Sequence, residues 1–159
     1  MTRRKFIGSS GAGALLAAGT ASGANAGATG AKAKKSKKKI LTERAPKPVG
    51  PYSQAIVAGN TIYVAGQGPF HPQTGKMAPT FEEQAVQVFE NIKSIVEAAG
   101  AKLTDVVKVN VYLADLANFQ KMNDIYRRYF SEDYPARATI GTQLLGGMGI
   151  EVECIAVKG

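Results

Sequence analysis

Thr80-Phe81-Glu82-Glu83 has the form of a capping box, in which the Thr80 hydroxyl accepts from the Glu83 backbone N–H and the Glu83 carboxylate reaches back. Behind it Phe81, Ala85, Val88, Ile92, Ile95, Val96 and Ala99 recur at three- and four-residue steps as far as Gly100, a helix stop. One helix with a single apolar stripe is expected, and it must bury that stripe on another layer. The flanks supply the layer. Tyr52 to Ala58 and Thr61 to Ala65 read as short strands around a Gly59-Asn60 turn. Val106 to Leu113 sets Val107, Val109, Val111 and Leu113 against Val106, Lys108, Asn110 and Tyr112, the alternation of a third strand. A second amphipathic helix is expected from an Asp115 cap to about Phe130, with Asn123 on its inner side near Phe119 and Tyr126. Ala138 to Gln143 and Gly149 to Val157 complete the domain as strands around Gly146-Gly147. The order ββαβαββ predicts an α+β fold, a single mixed β-sheet with two helices packed on one face. The other face then carries Glu151 and Glu153 beside Tyr112, Ile155 and Val157, and a homo-oligomer is expected to cover it.

The formal charge of +8 belongs to the front of the chain. All twelve acidic residues lie at or after Glu43, whereas Arg3, Arg4, Lys5, Lys32, Lys34, Lys35 and Lys37 to Lys39 precede Ile40. The remainder is near neutral, which argues against a specific nucleic-acid partner; a lysine run without interleaved aromatics is at most a sequence-independent footprint. Thr2-Arg3-Arg4-Lys5-Phe6-Ile7 has the twin-arginine form, followed by a Gly/Ala-rich stretch too short for a membrane anchor and by Ala24-Asn25-Ala26, an A-x-A site. Residues 1–26 are therefore expected to be an export signal to the periplasm or beyond, 27–39 an unstructured Lys/Ala/Gly linker, and 40–159 the folded domain. One cysteine and one histidine leave no intrachain disulfide and no His-rich metal site. Cys154 reads as a small core residue and His71 as a solvent-facing turn residue.

Chemistry concentrates near the C-terminus. Arg137 follows Tyr134-Pro135-Ala136, where a proline fixes the backbone ahead of a β-branched run, and its planar guanidinium suits a carboxylate. Glu151 and Glu153 alternate onto one strand face. Two readings stand: a site that holds an anion and moves a proton, or a structural ion pair between Arg137 and one of these acids on adjacent strands. Gly66, at the end of the second strand, marks either a close approach to a ligand or ordinary turn chemistry.

Gly50-Pro51-Tyr52-Ser53-Gln54-Ala55, Val64-Ala65-Gly66-Gln67, Asn91-Ile92-Lys93, Asp105-Val106-Val107-Lys108, Phe119, Asn123, Tyr126, Pro135-Ala136-Arg137 and Ile150-Glu151-Val152-Glu153 together resemble the RidA (YjgF) family of enamine/imine deaminases. The resemblance spans about Ile40 to Gly159. It implies a chorismate-mutase-like fold, a homotrimer with clefts between subunits, and no metal or cofactor. It also implies hydrolysis of 2-aminoacrylate-type 2-imino acids to 2-keto acids and ammonia. By the same resemblance Arg137 binds the substrate carboxylate, Glu151 activates water, Tyr52 lines the cleft, Asn123 is the helix asparagine near the site and Thr139 the small polar residue two places after the arginine, with Gly66 and Phe119 expected to join them in binding substrate. Ala65 stands where many deaminating members carry serine, and Leu144 to Gly149 replaces their leucine-proline turn. The alternative is a non-catalytic binder of small carboxylates in the same cleft.

Overall fold

The helix expected behind the capping box forms as α1, Phe81–Ala98, in a computed structural model that describes residues 36–159. The twin-arginine motif, its A-x-A site and the linker as far as residue 35 lie outside the described residues. Both halves of the box are made, the Thr80 hydroxyl accepting from the Glu83 N–H and the Glu83 carboxylate from the Thr80 N–H, each at 3.3 Å. Val88, Phe89, Ile92, Ile95 and Val96 are buried along one side of the helix.

That side rests on a six-stranded sheet: β1 Lys37–Ile40, β2 Ala55–Ala58, β3 Thr61–Gln67, β4 Val106–Leu113, β5 Ala136–Gly141 and β6 Ile150–Val157. The spatial order is β1-β2-β3-β6-β4-β5. Neighbours are antiparallel except β4 and β5, which run parallel because the second helix, α2 (Phe119–Tyr129), forms the crossover between them. Ile62, Val64, Val109, Val111, Leu113, Ile150, Val152 and Ala156 point into one core with the apolar sides of α1 and α2. Cys154 joins them, and burial pushes its thiol up to about 12, so the expected core role holds.

Four local expectations are corrected. The first strand begins at Lys37, inside the segment assigned to an unstructured linker. An edge strand pairs through its backbone and needs no apolar side chains, so Lys37, Lys38 and Lys39 stay exposed while only Ile40 is buried. The element order is accordingly βββαβαββ. Tyr52 lies ahead of β2 rather than in it. Val106 is buried and Val107 exposed, the reverse of the alternation, because an irregular register between Val106 and Lys108 turns the side chains over. Asp115 accepts from the Ala117 N–H at 2.8 Å and caps a 3₁₀ turn, Leu116–Asn118, with α2 starting only at Phe119.

Among the described residues no helix is long and apolar enough to cross a membrane, and no three His, Cys, Asp or Glu side chains gather as a metal site.

Candidate active site

Arg137 sits on the edge strand β5, paired with Val109 and through it level with buried Cys154, so its side chain rises on the helix-covered face. There α2 meets it with consecutive turns. Asn123 Oδ1 accepts from Arg137 Nη2–H at 2.7 Å, the Met122 sulfur lies 3.8 Å from Nη1, and the guanidinium carbon stands 4.6 Å from the centre of the Tyr126 ring. The Phe119 ring is farther, at 5.9 Å. Asn123, Tyr126, Arg127, Tyr134, Pro135 and Arg137 line a hollow of about 360 Å³. The arginine is thus held by a neutral amide and a ring face, while no carboxylate among the described residues forms an ion pair with it. The alternative of an ion pair with Glu151 or Glu153 is overturned, because β4 lies between β5 and β6.

Tyr126 is among the residues that carry the family resemblance, but no role in the site is assigned to it. Its hydroxyl is buried with no hydrogen-bond partner among the described residues, and burial pushes the phenol up to about 12. The ring supports Arg137 and the hydroxyl supports nothing. Tyr126→Phe is therefore expected to raise the unfolding temperature by a few degrees, about 1 kcal/mol, through relief of an unsatisfied polar group. A fall in calorimetric Tm would show that the hydroxyl has a partner after all.

Glu151 occupies the opposite face. It pairs with Tyr112 on β4 and projects away from the helices, with Glu153 two residues along. The two acids differ in their surroundings. Glu153 Oε1 accepts from Asn110 Nδ2 at 2.7 Å and from the Tyr112 hydroxyl at 3.1 Å. Glu151 has no such donor, and burial followed by the Glu153 charge lifts its carboxyl above the usual range. It lies over Gly66, where a Cβ would overlap Oε1. Gly66 thus marks a close approach to Glu151 rather than a simple turn.

Glu151, Gly66 and Tyr52 share a cleft of about 460 Å³ between the segment ahead of β2, the end of β3 and the turn before β6. Gln54 holds one wall: its Oε1 accepts from the Thr42 N–H at 2.7 Å, and its Nε2 donates to Thr42 O at 3.0 Å, Ala45 O at 3.1 Å and Pro46 O at 2.8 Å. The expected residues therefore divide into two groups within one chain. Arg137, Asn123 and, at greater distance, Phe119 form one, and Glu151, Tyr52 and Gly66 the other. Thr139 lies on the Arg137 side of β5, one pleat along, but does not line its hollow. Two strand spacings and a three-residue offset put the Arg137 and Glu151 Cα atoms about 14 Å apart, with side chains on opposite faces.

Residues 42–158 match the family model described as Endoribonuclease L-PSP. A RutC family protein of Pyrococcus abyssi is 54% identical over 124 residues, covering 77% of this chain and 98% of its own length. The 2-iminobutanoate/2-iminopropanoate deaminase of Bos taurus is 43% identical, over 77% of this chain and 91% of its own. Among solved structures, RidA from an Antarctic Psychrobacter superposes with a TM-score of 0.75 at 48% identity, covering 76% of this chain and 99% of that one. The same sheet with two helices, matched in sequence over nearly the full length of these proteins, establishes that the chain belongs to the Endoribonuclease L-PSP (RidA/YjgF) family.

Proposed function

We propose that the protein hydrolyses small 2-imino acids, and the 2-aminoacrylate-type enamines that tautomerise to them, to 2-keto acids and ammonia. The observation that carries this reading is Glu151, a half-buried carboxylate without a donor, facing an open cleft. A general base is most effective when its pKa approaches the working pH, and desolvation moves Glu151 in that direction. Its neighbour Glu153, bound by Asn110 and Tyr112, is spent.

In the proposed reaction Arg137 receives the substrate carboxylate. Water adds its oxygen to the imine carbon, and Glu151 takes the water proton. The same carboxyl passes that proton to nitrogen to give the carbinolamine, then takes the remaining hydroxyl proton and delivers it to nitrogen as the C–N bond breaks, so that both water protons leave in ammonia and the oxygen stays as the carbonyl. Arg137 and Glu151 point from opposite faces of one sheet, so a complete site needs Arg137 of one copy beside Glu151 of another. The open sheet face, with Tyr63 half exposed, supports this arrangement, and the name borne by the bovine relative supports the reaction.

The test couples the purified protein to an amino-acid oxidase that generates the imine in situ, and follows ammonia. Hydrolysis no faster than in buffer would refute the proposal. Because the base must be ionised, kcat/KM is expected to rise with pH, with a midpoint above the ordinary glutamate range. Glu153→Gln removes the repelling charge and should move that midpoint to lower pH. A midpoint unmoved by this change would assign the titration to another group.

A further inference from the structure

The cleft around Glu151 is larger and more apolar than the proposed chemistry requires. In one chain the open cleft measures about 460 Å³, room for more than the few waters, of about 30 Å³ each, that a three- or four-carbon imino acid displaces. Val49, Tyr52, Phe70, Leu145 and Met148 supply apolar wall from three separate segments. The polar lining is largely used elsewhere: Gln54 is saturated by backbone, Gln67 Nε2 donates to Ala65 O and Gly66 O, and the Tyr52 hydroxyl accepts from the Val49 N–H. Lys47 is exposed, and Glu151 is left as the half-buried polar group without a partner.

The turn before β6 makes much of this wall. Gly146 and Gly147 take φ of +64° and +73°, a conformation that favours glycine, and the chain reverses within three residues. Leu145 is thereby left 84% exposed beside the cleft, while Met148 folds inward, filling the space over Gly68 where a Cβ would overlap its sulfur. Val49, 96% exposed, comes from the segment ahead of β2. An apolar pocket with one free acid discriminates by the length of an apolar chain placed in it.

We propose that this cleft is a side-chain pocket, lined by Leu145, Met148 and Val49, that selects 2-imino acids with extended apolar side chains over the three- and four-carbon members. The proposal rests on the deaminase reading above. The experiment uses the full chain and imines generated in situ from alanine, 2-aminobutyrate, norvaline and norleucine, together with calorimetric titration of the corresponding 2-keto acids. Specificity is expected to climb roughly fourfold per methylene in kcat/KM, and keto-acid affinity to climb in parallel. Leu145→Ser combined with Val49→Ser, both at exposed positions that tolerate polar groups, should bring the norleucine-to-alanine ratio toward one.

A flat series in both measurements overturns the pocket while leaving the deaminase reading intact. Absence of turnover on every imine refutes that reading alone, and the keto-acid series still decides the pocket. Should the double variant change the sedimentation coefficient and leave the slope unaltered, these side chains belong to a contact between copies and the proposal fails.

Discussion

Arg137→Ala is expected to lower kcat/KM for any 2-imino acid by about 30-fold to several thousand-fold, mainly through KM. That range corresponds to the 2–5 kcal/mol typical when one partner of a hydrogen-bonded charge pair is removed. The side chain is held by Asn123 and the Tyr126 ring rather than by an acid, so its positive charge remains available to an incoming carboxylate. Arg137→Lys should recover only part of the loss, because an ammonium keeps the charge but not the planar pair of donors. Steady-state kinetics together with thermal unfolding separate this effect from misfolding. Full activity in a folded Arg137→Ala protein would mean that the carboxylate is held elsewhere.

Glu151→Gln removes the base and keeps the shape, and should cost about 10²- to 10⁴-fold in kcat while leaving 2-keto acid affinity nearly unchanged. A non-catalytic binder would have no turnover to lose, which separates the two functions. A sharper result comes from combining the variants. Because the two side chains lie on opposite faces of one sheet, co-expressed Arg137→Ala and Glu151→Gln chains should regain activity that neither has alone. Random pairing around a cyclic assembly places an intact Arg137 beside an intact Glu151 at about one site in four. No recovery from mixed oligomers would place both groups in a single-chain site, contrary to the proposal.

Much of the fold was legible because its signals are local. The Thr80 capping box, the three- and four-residue stripe to Ala99 and the Gly59-Asn60 turn each depend on residues within a few positions of one another, and each formed. The alternation of Ile150 to Val157 correctly assigned Cys154 to the core and the two glutamates to the open face. Local patterns failed where pairing took over. Lys37 to Lys39 looked too polar to fold, yet β2 offered them backbone partners. Val107 looked buried, yet an irregular register with β6 turned it out.

The candidate site divides in the same way. Residue chemistry and family resemblance singled out Arg137, Glu151, Tyr52, Gly66 and Asn123, but their grouping did not follow from spacing. Arg137 and Glu151 are close in sequence and suggested neighbouring strands. The sheet inserts β4 between those strands and places the two side chains on opposite faces. Nor could sequence show that Glu153 is tied down while Glu151 is free, since Asn110 and Tyr112 reach it from another strand. The sequence by itself determined the elements and which side of each is apolar, because backbone capping and side-chain periodicity act over a few residues. Only the tertiary structure decided which strands are neighbours, which acid keeps its charge unpaired, and which side of the sheet each functional group serves. Those outcomes depend on hydrogen-bond partners distant along the chain, and no local pattern specifies them.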